Sequence, residues 1–271
     1  MNATEDWSRW RSKRLGWLNS AAGPASLVAT LWPDQGERLP GIPGVWTFED
    51  GHTFLSLDAG VEALVQRMPQ SGTLVAQIAG QQAGPKIRLD DRTVQVIVRL
   101  GRRGVRVFDH SRAGAVETID TFDPSRSWVL DGEFAPLPEA STVPFSFELE
   151  PEPRDLPIPG TVSFELSGSR VETTPFLDVG GLQLVFADQT TGKETRPPCR
   201  FLYIAPPDDL RRAATVTVDF NRAFLPPCAF SDEFNCPLPP PEHRFPVRVD
   251  AGERWVRWSP GFGPAAAVLG D

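Results

Sequence analysis

Residues 93–108 read Thr-Val-Gln-Val-Ile-Val-Arg-Leu-Gly-Arg-Arg-Gly-Val-Arg-Val-Phe, and this stretch decides the fold. Valines recur at every second position from Val94 to Val98, as expected of a β-strand with one buried face. The run Gly101-Arg-Arg-Gly104 predicts a hairpin turn, and Gly104–Phe108 predicts the returning strand. The stretch therefore indicates an antiparallel hairpin and a mainly β fold.

The remainder of the chain repeats this pattern between frequent prolines and glycines. The sequence holds 28 prolines and 23 glycines in 271 residues. Proline breaks helices and punctuates strands, so the composition favours many short strands joined by loops. Further strands are predicted at 25–31, 44–49, 53–57, 74–78, 127–132, 145–149, 161–166, 182–187, 200–204, 215–220 and 246–249. We expect an antiparallel sandwich or a partly closed barrel.

One helix is predicted, at the N-terminus. Trp7, Trp10 and Trp17 recur at helical spacing with basic residues between them. This pattern predicts an amphipathic helix over about 4–18 with its tryptophan side inward.

The proline-rich segment 150–160 raises the question of domain number. It is either a linker between two domains or a long connection within one system of sheets. Strand-like sequence resumes directly after it, so we favour the second interpretation and expect a single domain over 1–271.

The charge balance argues against two classes of partner. Lys+Arg 27 against Asp+Glu 35 gives a net charge of −8. Nucleic acids and anionic membranes both attract basic surfaces, so we expect neither as a partner. No apolar stretch approaches the roughly 20 residues that span a bilayer, and no basic region followed by an apolar one begins the chain. We therefore expect a soluble, cytoplasmic protein, with its oligomeric state left open.

Most of the chemically useful side chains lie in one block near the C-terminus, 182–253. Its elements are Asp188-Gln-Thr-Thr-Gly-Lys-Glu-Thr195, Asp219-Phe-Asn-Arg-Ala223, Pro227-Cys-Ala-Phe230, Cys236-Pro-Leu-Pro-Pro240 and Ala251-Gly-Glu253. In this order the elements resemble the signature of an uncharacterised bacterial family, a domain of unknown function. Weaker similarity extends from Trp10 to Trp128, which implies one domain over nearly the whole chain. The resemblance implies no particular reaction.

The block departs from the family pattern at three places. Arg196 stands where the family has Tyr, Phe224-Leu225 stands where it has Tyr-Asn, and His243 stands where it has Asn. A ligand that those family residues bind would be bound differently, or not at all, by this chain.

Strand periodicity predicts where the polar residues of the block point. Leu182, Leu184, Phe186 and Asp188 share one face by the period of two, so Asp188 ends an apolar face. Thr217, Asp219 and Asn221 share a face of the later strand. We predict that the ligand-binding residues converge at these strand ends. They are Asp188, Glu194, Arg200, Asp219, Asn221 and Arg222.

A structural interpretation of the same residues stays open. Asp188 suits an Asx-type turn at the start of its element. Asp219 suits an ion pair with Arg222 or Arg200. In that case the carboxylates organise loops rather than bind a ligand.

Three functions are compatible with this pattern. The first is binding of a small polar ligand at the mouth of the barrel. The second is a hydrolase or other acid–base enzyme that uses two carboxylates of the block. Those carboxylates are Asp188, Glu194, Asp219, Glu242 and Glu253. The third is a structural or partner-binding role without a ligand site. No cofactor is indicated, and the sequence assigns no catalytic residue.

The cysteines are also candidates for chemistry. Seven residues separate Cys228 from Cys236, His243 follows, and Cys199 is a fourth candidate zinc ligand. This spacing lacks the Cys-x-x-Cys hook, so we predict buried free thiols and no metal, with a Cys228–Cys236 disulfide as the alternative. A nucleophilic triad of Cys228, His243 and Asp219 lacks a nucleophile-elbow motif.

Overall fold

The structure, a computed structural model, describes residues 3–264 and the side chains of residues 5–264. The described residues form one α-helix and 20 strands, joined by loops and short 3-10 turns. The elements are α1 (Ala3–Leu18), β1 (Leu27–Leu31), β2 (Val45–Glu49), β3 (His52–Ser56), β4 (Ala63–Val65), β5 (Met68–Gln70), β6 (Thr73–Gln77), β7 (Ile87–Arg88), β8 (Arg92–Arg99), β9 (Arg102–Asp109), β10 (Val116–Thr121), β11 (Val129–Pro136), β12 (Thr142–Phe145), β13 (Arg154–Pro157), β14 (Gly160–Leu166), β15 (Ser169–Thr173), β16 (Phe176–Asp178), β17 (Gly181–Phe186), β18 (Arg200–Ile204), β19 (Ala214–Asp219) and β20 (Glu253–Trp258).

The chain divides into two compact units. Of the described residues, 14–117, 230–233 and 258–264 form the N-terminal unit, and 3–13, 118–229 and 234–257 form the signature unit. The prediction of a single domain over 1–271 stays a prediction. The proline-rich segment 150–160 lies inside the signature unit, where it contributes β13, which pairs with β12.

The N-terminal unit contains a six-stranded sheet in the order β1-β9-β8-β7-β4-β5 and a three-stranded sheet β2-β3-β6. The expected hairpin is formed by β8 and β9, antiparallel, with Arg99 opposite Arg102. Its two-residue turn lies at Leu100 and Gly101, both at positive φ, two residues earlier than the centre of the expected turn Gly101–Gly104. Two-residue turns with positive φ at both residues have a backbone twist that matches the right-handed twist of the flanking strands. Val94 and Val96 are buried in the core of this unit.

The signature unit is built from a four-stranded sheet β15-β14-β11-β19 and a three-stranded sheet β16-β17-β18. The registered strand pairs in both sheets are antiparallel. One core cluster takes side chains from both sheets, among them Phe164, Phe186 and Val218, as in a sandwich. A second cluster, with Val185 and Phe201, lies on the other face of the three-stranded sheet. No closed barrel is found among the described residues.

The predicted mainly β fold with an N-terminal helix is confirmed. The helix begins at Ala3 and ends at Leu18; Trp10 packs on the second core cluster of the signature unit, whereas Trp17 is 49% exposed. No helix within residues 3–264 combines the length and apolarity needed to cross a bilayer.

The predicted strand at 246–249 is wrong. This segment forms no strand: apart from Val247 O, which accepts from Gln189 N at 3.1 Å, its described backbone hydrogen bonds go to side chains. Pro246 O accepts from Gln189 Nε2, and both the N–H and the C=O of Val249 bind charged side chains described below.

Candidate functional site

The element Asp188–Thr195 is a tight loop organised by the Asp188 carboxylate. Five of the described hydrogen bonds end on its two oxygens. Oδ1 accepts from the N–H and hydroxyl of Thr190 at 3.1 and 2.7 Å and from the Thr191 hydroxyl at 3.1 Å. Oδ2 accepts from Val249 N at 2.6 Å and from Arg200 Nη2 at 3.0 Å. The contact with Thr190 N is an Asx turn.

Arg200 completes this buried cluster. The side chains of Arg200 and Asp188 are both 0% exposed. Besides Asp188, the guanidinium donates to Val249 O at 2.9 Å and to Ala251 O. Burial lowers the pKa of Arg200, and the Asp188 charge opposes that shift. The pair therefore fastens the loop and the segment 249–251 to the end of β18, the strand that pairs with β17.

A second polar cluster surrounds the end of β19. Asp219 Oδ1 accepts from Asn221 N at 3.1 Å and from Asn221 Nδ2 at 2.8 Å, which caps the 3-10 turn that follows. Arg222 pairs with Asp219 at 3.3 Å and also with Asp6 of α1. Trp7 Nε1 donates to Asn221 O at 3.1 Å. This cluster therefore docks the first part of α1 on the signature unit.

Glu194 lies in neither cluster. Its carboxylate pairs with Arg248 at 2.6 Å on the surface, and Arg248 also pairs with Asp250 at 2.7 Å. The hydrogen bond with Arg248 lowers the pKa of Glu194.

The six predicted residues are thus distributed over three places. Asp188 and Arg200 share the buried cluster, Asp219, Asn221 and Arg222 share the strand-end cluster, and Glu194 forms a surface pair. Asp219 pairs with Arg222 and not with Arg200. Between the two clusters stands the Phe186 ring, 5.1 Å from the Arg200 guanidinium carbon and 5.4 Å from the ring of Phe220.

In two other elements of the signature block, a buried side chain also forms hydrogen bonds with backbone groups. Glu253 is 3% exposed, and its Oε2 accepts from Leu225 N at 2.7 Å. His243 is fully buried, with Nε2 2.9 Å from Thr174 N and Nδ1 3.0 Å from Val185 O. Since an amide N–H only donates and a carbonyl only accepts, His243 is neutral and carries its proton on Nδ1. Burial lowers its pKa to about 4.

Two recesses share Arg244 and Phe245 in their walls, and the first of them also borders the buried cluster at Asp188. The first, of about 260 Å³, is lined by Ala187, Asp188, Gln189, Thr191, Arg244 and Phe245. The second, of about 300 Å³, shares Arg244 and Phe245 and is also lined by Arg170, Glu172 and Glu242. Arg244 is exposed, and its guanidinium forms no ion pair within residues 3–264. Sequence reasoning missed Arg244, although it directly follows His243 in the signature block.

The thiols form a third feature of the signature unit. Cys199, Cys228 and Cys236 are free and buried. Cys228 and Cys236 lie together with Glu148, a residue that sequence reasoning missed because it lies 80 positions before Cys228 and no local motif connects them. His243 lies apart from this group, since both of its ring nitrogens are already bonded.

The comparisons with known proteins agree with the expected family. A family model described as "Protein of unknown function (DUF1684)" matches residues 115–254, which include most of the signature unit, and the chain belongs to this family. Among solved structures, the chain is similar to an uncharacterized protein of Haloarcula marismortui determined by solution NMR. The two are 29% identical over 50% of this chain and 75% of that chain, with a TM-score of 0.43. No curated protein matches the chain.

Proposed function

We propose that this member of the DUF1684 family binds a small polar ligand bearing a carboxylate or a phosphate in the two recesses that flank Arg244. The observation that carries the proposal is the position of that guanidinium, exposed at the wall that both recesses share. Arginine presents a planar fork of N–H donors that matches carboxylate and phosphate oxygens. Recesses of about 260 and 300 Å³ suit a small molecule.

The backbone beneath Arg244 is held in place, which favours a prepared site. Ala187 N donates to His243 O at 3.1 Å, and Phe245 N donates to Ala187 O at 2.8 Å. These bonds tie the segment around Arg244 to the end of β17. The Asp188–Arg200 pair fixes the opposite wall, the loop with Gln189 and Thr191. Preorganised walls reduce the ordering cost of binding.

The acid–base alternative has less support at Asp188. Its oxygens already accept five hydrogen bonds, which leaves poor access for a reacting proton. Glu242 lines the second recess together with Glu172, so a hydrolase using that carboxylate stays a prediction. The cytoplasmic location and the absence of nucleic-acid partners stay predictions as well.

The test is binding of defined anions to the parent and to Arg244→Gln. We would titrate inorganic phosphate, succinate and glucose 6-phosphate into 15N-labelled protein and follow backbone amide shifts, with glycerol as the uncharged probe. A hydrogen bond to a charged group is worth about 1.5–3 kcal/mol, so Arg244→Gln should weaken binding roughly tenfold or more. Shifts should be largest in 187–191.

Arg248→Gln is the matched control, because Arg248 is an exposed arginine of the same segment that lines neither recess and pairs with Glu194 and Asp250. It should leave anion affinity close to that of the parent. The proposal fails if no anion perturbs 187–191, or if both arginine variants weaken binding equally.

A further inference from the structure

The segments that carry Glu148 and Cys236 run side by side. Phe147 and Pro237 form an antiparallel bridge. Glu148 N donates to Cys236 O at 3.1 Å, and Leu238 N donates to Ser146 O at 2.8 Å. Backbone pairing therefore places the exposed Glu148 next to the buried Cys236, although 88 positions separate them.

Further bonds brace the same two segments. The Asn235 side chain accepts from Leu149 N at 2.8 Å and donates to Glu150 Oε1 at 2.5 Å. Cys228 lies in a 3-10 turn, and its N–H points at Cys236 Sγ at 3.4 Å. The two sulfurs and a Glu148 carboxylate oxygen consequently all lie within 4.8 Å of one another.

We propose that Cys228, Cys236 and Glu148 form a binding site for a borderline-soft divalent cation, Zn²⁺. Thiolates and carboxylates are established zinc ligands. A tetrahedral zinc with Zn–S bonds of about 2.3 Å holds its sulfurs about 3.8 Å apart, so small side-chain rotations suffice to close the site. The N–H of Cys228 aimed at Cys236 Sγ suits a metal-bound thiolate. Three protein ligands leave a fourth position on the exposed Glu148 side, as in zinc sites that hold water or a substrate.

This proposal replaces the expectation of no metal, which rested on the loose spacing of the candidate ligands and on His243 standing where the family has Asn. The candidate ligands considered there beside Cys228 and Cys236 were Cys199 and His243. His243 is committed to Thr174 and Val185. Cys199 lies outside the group, with its Sγ 3.8 Å from Pro237 O. In the proposed site Glu148 is the third ligand, beside Cys228 and Cys236.

Binding of Zn²⁺ to two thiols and one carboxylate releases two protons and leaves a complex of charge −1. Affinity should therefore rise with pH, by up to about a hundredfold per unit.

The experiment uses Co²⁺ as a spectroscopic probe and Zn²⁺ as its competitor. The full chain would be stripped with a chelator, kept reduced and titrated with Co²⁺. We expect one Co²⁺ per chain with thiolate-to-cobalt charge-transfer absorption, which Zn²⁺ abolishes. Cys228→Ser and Cys236→Ser should each remove most of that absorption. Glu148→Gln, at an exposed position, should keep the absorption and weaken affinity at least about tenfold, since even outer-shell groups are worth that much.

Cys199→Ser is the matched control, since it removes a buried thiol outside the group and should leave both stoichiometry and absorption unchanged. A reduced parent without the charge-transfer band would overturn the proposal. So would equal losses in Cys199→Ser and Cys228→Ser, or a Glu148→Gln variant with parental affinity. Thermal melts of every variant confirm that the protein tested is folded. None of these results depends on Arg244 or on anion binding.

Discussion

Two polar clusters of the signature unit use the same chemistry at different depths. The Asp188–Arg200 pair is 3.0 Å long with both side chains 0% exposed. The Asp219–Arg222 pair is 3.3 Å long with side chains 26% and 37% exposed. In each cluster a carboxylate also binds backbone N–H groups of an adjoining turn. The two clusters therefore have similar hydrogen-bond geometry and differ in how deeply their side chains are buried.

Burial decides what each cluster is worth. Water is unable to replace a partner that is lost inside the protein, so breaking a buried pair leaves an uncompensated charge. At the half-exposed cluster, water takes over the vacant hydrogen bonds and screens the charge. Charged residues of the block 182–253 therefore differ in how much stability is lost when they are replaced, although they look equivalent in the sequence.

The largest effect is expected at the buried pair. Arg200→Met should lower the free energy of unfolding by about 3–5 kcal/mol, because Asp188 keeps a buried charge without its partner. Urea denaturation measures this loss. Arg200→Met combined with Asp188→Asn should cost less than the sum of the single changes, since no lone charge is then left behind. The surface variant Glu194→Gln should leave the urea midpoint unchanged. Arg222→Met is the corresponding change at the half-exposed cluster. If Arg200→Met lowered the free energy of unfolding by no more than Arg222→Met, the distinction between the clusters would be contradicted.

The pH dependence of stability tests whether burial also penalises the charging of His243, a group that is neutral in the folded protein. The folded pKa of His243 is lowered to about 4 from 6.5, so the neutral ring contributes stability above pH 6.5, and this is lost as the pH falls towards 4. The shift corresponds to roughly 3 kcal/mol. His243→Asn keeps an acceptor and a donor without titrating in this range, and should reduce the slope of stability between pH 6.5 and 4. Urea melts of both proteins across that range give the comparison; equal slopes would contradict the assignment.

The smallest of the three effects is expected at Asp219. Asp219→Ala removes the cap of the turn at Asn221 and the partner of Arg222, at a cost of about 1–2 kcal/mol. Asp219→Asn keeps an oxygen for the N–H of Asn221 and should cost less. Thermal melts rank the two variants. A parental melting temperature for Asp219→Ala would mean that solvent replaces the whole cluster.

Sequence patterns predicted the parts of this structure that depend on neighbours along the chain. Alternation placed Leu182, Leu184 and Phe186 on one buried face. It also put Asp219 and Asn221 on one side of a strand end, where the contact between them is made by the 3-10 turn that follows β19. The Asx turn at Asp188 was among the alternatives that the sequence left open. A period of two and the chemistry of a short turn are local, so the sequence was sufficient for them.

The partners of the polar side chains were decided by the tertiary structure. Asp188 binds Val249, which lies 61 positions further along the chain. The segment 246–249 was predicted as a strand, but the backbone of Val249 donates to Asp188 and accepts from Arg200. Glu148 reaches Cys236 only because two distant segments pair. Spacing along the chain therefore offered His243 as a candidate ligand and missed Glu148. Hydrogen bonds and ion pairs form between atoms about 3 Å apart, and in a β fold most such atoms come from strands and loops that are far apart in sequence.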